Sequence, residues 1–214
     1  MRIGLFGGSF NPIHFGHLRA AEEVRELLTL DLVYFIPAGV PPHKSSDRLA
    51  PPDHRLRMAQ LATKGNRHFM VSDVEIRRGG RSFTVDTVRN FHETTRGHPD
   101  FFLLLGMDQF VELETWKECD ELARSCNIAV HTRDQASGEN SARPSLAALD
   151  RFGYVKRDKQ YVHPSGHTLS FVVTTFLPIS ATMIRAELAR RRSVRYLLPA
   201  DVEDYIVQHG LYLS

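Results

Sequence analysis

Short apolar runs alternate with longer stretches of helical period along this chain, and this alternation constrains the fold more than any other feature of the sequence. Runs of about four to eight apolar residues bounded by turn residues are typical of buried strands. They are predicted at positions 2–6, 31–36, 69–76, 101–105, 127–131 and 168–174. Helices are predicted between them at positions 15–28, 52–64, 82–95 and 180–190, with a further helical stretch that ends near position 125. Because strands joined in sequence by helices form parallel sheets covered on both faces, we predict an α/β protein with a doubly wound, open parallel sheet.

The chain is expected to form one domain over residues 1–214, because this length suits a single large domain and no stretch is long enough to serve as a linker. Its C-terminal portion, from about residue 180 onward, is predicted to be helical. Pro199 suits the first position of a last helix, and Gly210 is placed to end that helix. Two stretches without a periodic pattern, 132–142 and 153–166, are predicted to be irregular.

Composition narrows the classes of partner and compartment. With 27 Lys and Arg against 25 Asp and Glu, the formal charge is only +2, which does not favour a general attraction to nucleic acid or membranes. The longest strongly apolar run, 101–107, is far shorter than the roughly 20 residues that span a bilayer. Cys119 and Cys126, if carried by one helix, would lie about 10 Å apart along its axis, too far for a disulfide. We therefore expect a cytoplasmic protein with reduced cysteines and with no nucleic-acid or membrane partner.

The densest group of chemically informative residues is the segment 7–17, with the sequence Gly-Gly-Ser-Phe-Asn-Pro-Ile-His-Phe-Gly-His, between the first strand and the first helix. Open α/β sheets bind ligands at this edge. Gly7 and Gly8 allow a tight turn and let backbone N–H groups approach an anion, and the helix that follows points its positive end at the same place. His14 and His17 are three residues apart, so both rings share one helix face. The segment predicts a phosphate-binding cradle with two protonatable donors.

The separate parts of this segment also have simpler explanations. Two glycines after a strand often form only a turn, and two histidines are often surface residues. A histidine pair can also bind a metal, but no nearby Cys, Asp or Glu completes a zinc-binding set. The combination of all these parts in one strand-to-helix turn favours the phosphate cradle.

A second informative segment, 179–185, has the sequence Ile-Ser-Ala-Thr-Met-Ile-Arg. Ser180 is placed to cap a helix, and Arg185 follows about one and a half turns inside it. Taken alone, Ser180 would be an ordinary helix cap.

Together the two segments resemble the signatures of the nucleotidylyltransferase superfamily, which are Gly-Ser-Phe-Asn-Pro with His-x-Gly-His and Ile-Ser-Ser-Thr-x-x-Arg. Ala181 departs from the second signature, so no hydroxyl acts at that position. Within the superfamily the chain is most similar to the bacterial nicotinate-nucleotide adenylyltransferases. The similarity also includes positions 36–39 with 41–44, 81–87, 105–108 with Trp116, and the tail 193–199. The resemblance implies a Rossmann-like version of the predicted fold.

The resemblance further implies the transfer of AMP from ATP to nicotinate mononucleotide in NAD biosynthesis, giving deamido-NAD and pyrophosphate. Catalytic roles are implied for His14, His17 and Arg185. The residues implied in ATP binding are Gly7, Gly8, Ser9, Phe10, Ile179, Ser180 and Thr182. Those implied in binding the mononucleotide are Lys44, Thr84, Asp108, Trp116 and Lys117. Mg²⁺ would enter with ATP, because it prefers phosphate oxygens and keeps several waters, and no metal site built by the protein is predicted. A homo-oligomer is compatible with the resemblance.

Two alternatives remain open at this point. One is another small nucleotidylyltransferase, of the phosphopantetheine adenylyltransferase or cytidylyltransferase type, which tends to be shorter and to lack the features at 82–87 and 108–116. The other is a nucleotide-binding regulator without turnover. The low net charge and the intact His14, His17 and Arg185 argue against a regulator. Release of pyrophosphate from ATP would separate an enzyme from a regulator.

Overall fold

A single sheet organises the protein. The computed structural model describes residues 1–42, 49–133, 149, 151–158 and 160–213, and within these ranges it contains one eight-stranded sheet in the order β3-β2-β1-β4-β5-β8-β7-β6. The strands are β1 (Arg2–Gly8), β2 (Leu32–Pro37), β3 (Phe69–Val71), β4 (Asp100–Gly106), β5 (Asn127–Arg133), β6 (Val155–Arg157), β7 (Gln160–Val162) and β8 (Thr168–Thr174). The pairs from β3 to β8 in this order are all parallel. The predicted open parallel sheet is therefore confirmed in its central part.

Helices pack on both faces of the sheet. They are α1 (Phe15–Leu27), α2 (Pro52–Thr63), α3 (Val74–Arg78), α4 (Thr84–Thr94), α5 (Met107–Val111), a 3₁₀ turn (Leu113–Thr115), α6 (Cys119–Ser125), α7 (Ala181–Ala189) and α8 (Ala200–Gln208). Successive side chains of a strand point to opposite faces, so each central strand supplies two cores. In β4, Leu103 belongs to one apolar cluster and Leu104 to the other. This arrangement confirms the doubly wound α/β fold.

The order of the strands fixes where a ligand would bind. β1 lies between β2 and β4, so the chain leaves β1 toward one side of the sheet and later returns to its other side. A crevice forms outside the carboxyl ends of two such strands, because their connections run in opposite directions. Gly8 ends β1 and Gly106 ends β4, and both therefore lie at this crevice.

Two of the predicted segments are wrong. Positions 69–76 were expected to be extended, but β3 ends at Val71 and α3 begins at Val74. Adjacent Val74 and Glu75 are both buried, which suits a helical turn better than a strand with one buried face. Positions 153–166 were expected to be irregular, but they contain β6 and β7, which pair antiparallel and extend the sheet beyond β8. Strands of three residues are too short to show a periodic pattern, and β6 is exposed throughout.

The predicted helical stretch before position 125 is broken into α5, a 3₁₀ turn and α6. Cys119 begins α6 and Cys126 follows its end, and both are buried free thiols, so the absence of a disulfide between them is confirmed. Most of the loop predicted at 132–142 lies outside the described residues, although its first two positions belong to β5. Among the described residues, no helix combines the length and apolar character needed to cross a bilayer.

The C-terminal portion contains the two predicted helices. The Ser180 Oγ accepts a hydrogen bond from the Met183 N–H at 3.1 Å, which confirms Ser180 as the cap of α7. Pro199 precedes α8 rather than occupying its first position. Val202 and Ile206 of α8 are fully buried in the apolar cluster that also holds the α2 side chains Met58 and Ala59, so the C-terminal helices share a core with the rest of the sheet.

Candidate active site

A cavity of about 540 Å³ opens where β1 and β4 end. Its walls include the turn after β1, the first turn of α1, the start of α4, His131 near the end of β5, and the segments that follow β4 and β8. Ligand pockets usually occupy about 300–1,000 Å³, so this cavity can hold much of a nucleotide substrate. It lies at the crevice that the strand order predicts.

The turn after β1 depends on a glycine and on an unusual backbone angle. Gly7, Gly8, Ser9 and Phe10 all line the cavity. The buried Phe10 has φ of +43°, in the left-handed region, and a Cβ at Gly8 would lie 3.1 Å from its ring. The Phe10 ring also packs edge-on against His17, with centroids 5.2 Å apart. The predicted tight turn is therefore formed, with Phe10 folded back over Gly8.

The two histidines form one unit at the start of α1. His14 is the residue before the helix and His17 lies in its first turn. Their ring centroids are 3.7 Å apart with an interplanar angle of 31°, and both residues line the cavity. The His14 backbone N–H donates to Nδ1 of His17 at 3.2 Å. A neutral His17 ring therefore carries its proton on Nε2, because Nδ1 acts as the acceptor. The predicted placement of both rings on one face is confirmed.

Gly16 leaves room for the His14 ring of this pair. A Cβ at Gly16 would lie 3.0 Å from both Cε1 and Nδ1 of His14, and 3.5 Å from the Ile179 carbonyl oxygen. Carbon atoms in ordinary contact are about 3.5–4.0 Å apart. The absence of a side chain at Gly16 thus lets the buried His14 ring sit directly on the backbone.

The second signature lies beside the turn rather than in the cavity wall. Among the described residues that line the cavity, Ile179, Ser180, Thr182 and Arg185 do not appear. Arg185 instead donates from Nη1 to the Asn11 carbonyl oxygen at 2.8 Å and from Nη2 to the Thr182 Oγ1 at 3.3 Å. The structure therefore connects the two signatures through the backbone of Asn11.

The tail of the chain holds the same turn at two further points. The Phe15 N–H donates to the Leu197 carbonyl oxygen at 3.1 Å. The Tyr212 hydroxyl donates to the Asn11 Oδ1 at 2.7 Å, and this oxygen also accepts from the Ala50 N–H at 2.9 Å. The first helix and the loop before it are thus fixed by residues from the end of the chain.

The predicted mononucleotide residues line the opposite side of the cavity. Thr84 at the start of α4, Asp108, Trp116 and Lys117 are all brought together there. The Lys117 ammonium donates to both carboxylate oxygens of Asp86 at 3.1 and 3.2 Å, and it lies 5.1 Å from the centre of the Phe83 ring. This ion pair joins the start of α4 to the segment that carries Trp116. Lys44 lies outside the described residues.

Arg55 on α2 is a residue that the sequence analysis missed. Its side chain is almost completely buried, with 1% exposure, and it donates to three backbone carbonyl oxygens at 2.9 Å each: Ala50 from Nε, Ser9 from Nη1 and Gly39 from Nη2. Burial lowers the pKa of this guanidinium, although the charges of Tyr212 and Glu75 raise it. One signal was present: Arg55 stands three and four residues before Met58 and Ala59, on the buried face of the helix.

Glu75 and His131 were missed as well, and both line the cavity. Burial raises the pKa of the Glu75 carboxyl above its ordinary value, although its hydrogen bonds with Thr87 and Ser82 lower it. The Thr87 hydroxyl donates to Glu75 at 2.6 Å, and the Ser82 Oγ accepts from the Gly39 N–H at 2.8 Å. His131 stands near the carboxyl end of β5, where the predicted sheet would place a ligand-binding side chain.

Known proteins with similar sequences support one family. A family model described as cytidylyltransferase-like matches residues 5–187. A relative from Geotalea daltonii, named a probable nicotinate-nucleotide adenylyltransferase, is 42% identical over 214 residues, covering 99% of this chain and 98% of the relative. A relative of the same name from Geobacter sulfurreducens is 40% identical, with the same coverage.

Solved structures share the fold. The Plasmodium falciparum nicotinic acid mononucleotide adenylyltransferase complexed with NaAD has a TM-score of 0.72 and 18% identity, covering 99% of this chain and 97% of that one. A putative nicotinate-nucleotide adenylyltransferase from Vibrio parahaemolyticus has a TM-score of 0.64 and 18% identity, covering 100% and 96%. At these identities the structures support the Rossmann-like fold, while the sequence relatives and the family model decide membership. The chain belongs to the cytidylyltransferase-like family and, within it, to the nicotinate-nucleotide adenylyltransferases.

Proposed function

We propose that this protein transfers AMP from ATP to nicotinate mononucleotide, releasing pyrophosphate and forming nicotinate adenine dinucleotide in NAD biosynthesis. The observation that carries the proposal is that one cavity joins the turn 7–17, which is rich in N–H and imidazole donors, to the start of α4 and Trp116. Donors of this kind suit phosphates, and the opposite wall suits a flat aromatic acid. The names of the relatives describe the same reaction.

The turn 7–17 acts on the phosphates. The phosphate of a mononucleotide is largely dianionic at neutral pH, with a second pKa of about 6, so it attacks the α-phosphorus of ATP without a general base. The protein then supplies alignment and positive charge, which are the main contributions to phosphoryl transfer. We assign the backbone N–H groups of Gly8, Ser9 and Phe10, and the rings of His14 and His17, to ATP phosphates and departing pyrophosphate.

The second signature supplies the remaining contacts with ATP. A guanidinium carries five N–H donors, so the bonds from Arg185 to Asn11 and Thr182 are compatible with further bonds to phosphate oxygens. In this proposal Ile179, Ser180 and Thr182 contact the nucleotide once ATP occupies the cavity. Lys44 adds the positive charge of its ammonium at the phosphate of the mononucleotide.

The start of α4 selects the mononucleotide. We assign the N–H groups of Thr84 and Lys117 to the nicotinate carboxylate, because the first turn of a helix favours a negative group. The Lys117 ammonium pairs with Asp86, so its main chain rather than its side chain faces the ligand in this proposal. Trp116 stacks on the pyridine ring, and Asp108 accepts from ribose hydroxyls. A carboxamide would turn its NH₂ toward these donors, which leaves polar groups unpaired and weakens binding.

Magnesium accompanies ATP in this proposal. Within the described ranges, no three His, Cys, Asp or Glu side chains come close enough together to hold a metal ion. The cavity therefore suits a cation that is held mainly by phosphate oxygens and water, as Mg²⁺ prefers. When bound, the ion neutralises negative charge on the phosphates that leave. The residues of the turn 7–17 then orient those phosphates.

The proposal also covers the state of the protein in the cell. We expect a single domain, because α7 and α8 pack in the same core as α2. The buried free thiols of Cys119 and Cys126 suit the reducing cytoplasm. The substrates are small molecules, so neither nucleic acid nor a membrane takes part, and a homo-oligomer is compatible with this mechanism.

Product formation from matched substrates tests the proposal. The purified protein is incubated with ATP, Mg²⁺ and either nicotinate or nicotinamide mononucleotide, and both pyrophosphate and the dinucleotide are measured. We expect both products with nicotinate mononucleotide and a much lower kcat/KM with the amide. The His17→Ala variant, purified in parallel, controls for contaminating enzymes. Equal kcat/KM for the two mononucleotides, or no dinucleotide from either, would contradict the proposal.

A further inference from the structure

Arg55 lies behind the cavity and holds one peptide group of its wall. Its Nη1 donates to the Ser9 carbonyl oxygen at 2.9 Å, while Ser9 and Phe10 line the cavity and the almost fully buried Arg55 does not. The Ser9 carbonyl therefore points away from the cavity, into the protein. Such a contact sets the orientation of the whole peptide group between Ser9 and Phe10, because the group is planar.

The orientation of that peptide group decides where the Phe10 N–H points. In a trans peptide the N–H and the C=O lie on opposite sides of the chain, so the Phe10 N–H points away from Arg55 and toward the cavity side. Within the described part of the chain, no acceptor bonds to this N–H. Donors of this kind are rarely left without a partner in folded proteins. A ligand atom in the cavity can provide the missing partner.

The backbone at Phe10 does not favour this orientation by itself. Phe10 has φ of +43°, a left-handed conformation that side-chain-bearing residues seldom adopt without support. A half-turn of the peptide group would bring φ to about −140°, in the broad allowed β region. The same half-turn would point the Phe10 N–H toward Arg55 and the carbonyl toward the cavity. The orientation with the Phe10 N–H toward the cavity therefore needs a contact from another part of the chain to stabilise it.

The three hydrogen bonds of Arg55 can fix this orientation. Its Nε and Nη2 donate to the Ala50 and Gly39 carbonyl oxygens, which fixes the guanidinium plane before it reaches Ser9. A guanidinium donates in a rigid fork, whereas an ammonium is a point charge on a flexible stem. A lysine at position 55 would keep the charge but could not make three divergent contacts.

We propose that Arg55 is a positioning residue that holds the Ser9–Phe10 peptide group so that the Phe10 N–H binds a phosphate oxygen of ATP. The inference rests on the proposed function for the identity of the ligand. It concerns a residue that never touches ATP. Its effect reaches the nucleotide only through the orientation of one backbone amide.

The wild-type protein provides the first test. The ¹H–¹⁵N resonance of the Phe10 amide is followed while ATP, or inorganic tripolyphosphate as a probe of the phosphates alone, is titrated in. We expect a downfield shift of the Phe10 amide proton that saturates with binding. A Phe10 amide that does not respond while ATP binds overturns the proposal. This measurement needs no variant and therefore does not depend on whether a substituted protein folds.

Variants at position 55 provide the second test. We expect Arg55→Met and Arg55→Lys to raise the Kd for ATP about 10- to 100-fold, as the loss of a bond to a charged group predicts, and to abolish the Phe10 shift. Met58→Ala, on the same face of α2 and fully buried, controls for lost stability. It should lower the melting temperature but keep the Phe10 shift and the ATP affinity. Wild-type ATP affinity in Arg55→Lys would overturn the proposal.

The two proposals can fail separately. If the wild type makes the dinucleotide but its Phe10 amide ignores ATP, the role of Arg55 is wrong and the proposed function stands. If no dinucleotide forms but the Phe10 amide responds to ATP only when Arg55 is present, the proposed function is wrong and the role of Arg55 stands.

Discussion

A single methyl group at Gly16 should inactivate the histidine pair without unfolding the protein. In Gly16→Ala the new Cβ would lie 3.0 Å from two atoms of the His14 ring. Ordinary carbon contacts are about 3.5–4.0 Å, so the ring must retreat by about 0.5–1 Å. The Ile179 carbonyl oxygen, 3.5 Å away on another side, limits how far the backbone can yield. The displacement therefore falls mainly on His14.

The size of the effect follows from this displacement. A misplacement of about 1 Å can cost about 10²-fold in rate, so we expect kcat to fall about 10- to 100-fold. The effect on stability is smaller, because the crowding costs about 1–3 kcal/mol while alanine is favoured over glycine in a helix by about 1 kcal/mol. At about 2–4 °C per kcal/mol for a chain of this size, the melting temperature should fall by less than about 8 °C.

Initial rates of pyrophosphate release, measured well below the melting temperature, provide the assay. Leu27→Ala, an exposed position near the end of the same helix, is the control and should leave kcat unchanged. Wild-type kcat in Gly16→Ala, with a normal melting curve, would show that the position of the His14 ring does not matter for turnover.

Four further predictions use the same assays. His17→Ala should lower kcat about 10²–10³-fold with the fold intact, as expected for one lost donor to developing charge; near-wild-type turnover would remove His17 from the mechanism. Trp116→Ala should raise the KM for both mononucleotides about 5- to 150-fold, because stacking on an aromatic ring contributes about 1–3 kcal/mol; an unchanged KM would refute stacking. Arg185→Lys should keep the charge but lose activity, because lysine lacks the planar pair of donors of a guanidinium. A wild-type kcat/KM for ATP in this variant would show that Arg185 acts through its charge alone. In the folded protein, burial raises the pKa of the Glu75 carboxyl above its ordinary value of 4.5. The protonated carboxyl therefore contributes its full stability below pH 4.5, and this contribution is lost as the pH rises through the pKa of the folded state. Chemical denaturation should therefore show the wild type losing stability relative to Glu75→Gln as the pH rises above 4.5, and a difference that does not change with pH would contradict this.

Local patterns in the sequence predicted the parts of the fold that local forces determine. The run 2–6 and the glycines after it specify a buried strand and a turn, and Ser180 caps its helix within three residues. The predictions that were wrong concern segments whose structure depends on residues distant in the sequence. The end of β3 follows from the burial of Glu75 against Thr87, and β6 and β7 exist only because β8 provides an edge with which to pair.

The same distinction applies to the candidate site. The pattern of glycines and histidines predicted a turn between the first strand and the first helix, and residues of that turn line the cavity, because the turn follows directly from the end of β1. Arg55 could not be assigned to it, since its contact with Ser9 spans 46 positions of the sequence. Likewise, the bond from Arg185 to Asn11 spans 174 positions, and only the folded chain shows that these residues meet.

The contacts from the tail to the first turn carry a consequence for biosynthesis. Leu197 and Tyr212 bond to Phe15 and Asn11, so the turn acquires its final form only after the ribosome has added a segment that lies as many as 201 positions later in the sequence. A nascent chain that ends before Leu197 should therefore be unable to bind ATP, although it already contains the whole cradle. Conversely, ATP that binds the finished cradle also strengthens the docking of the tail, because the two events are linked and each favours the other. Protease resistance of the last twenty or so residues should accordingly rise with ATP concentration.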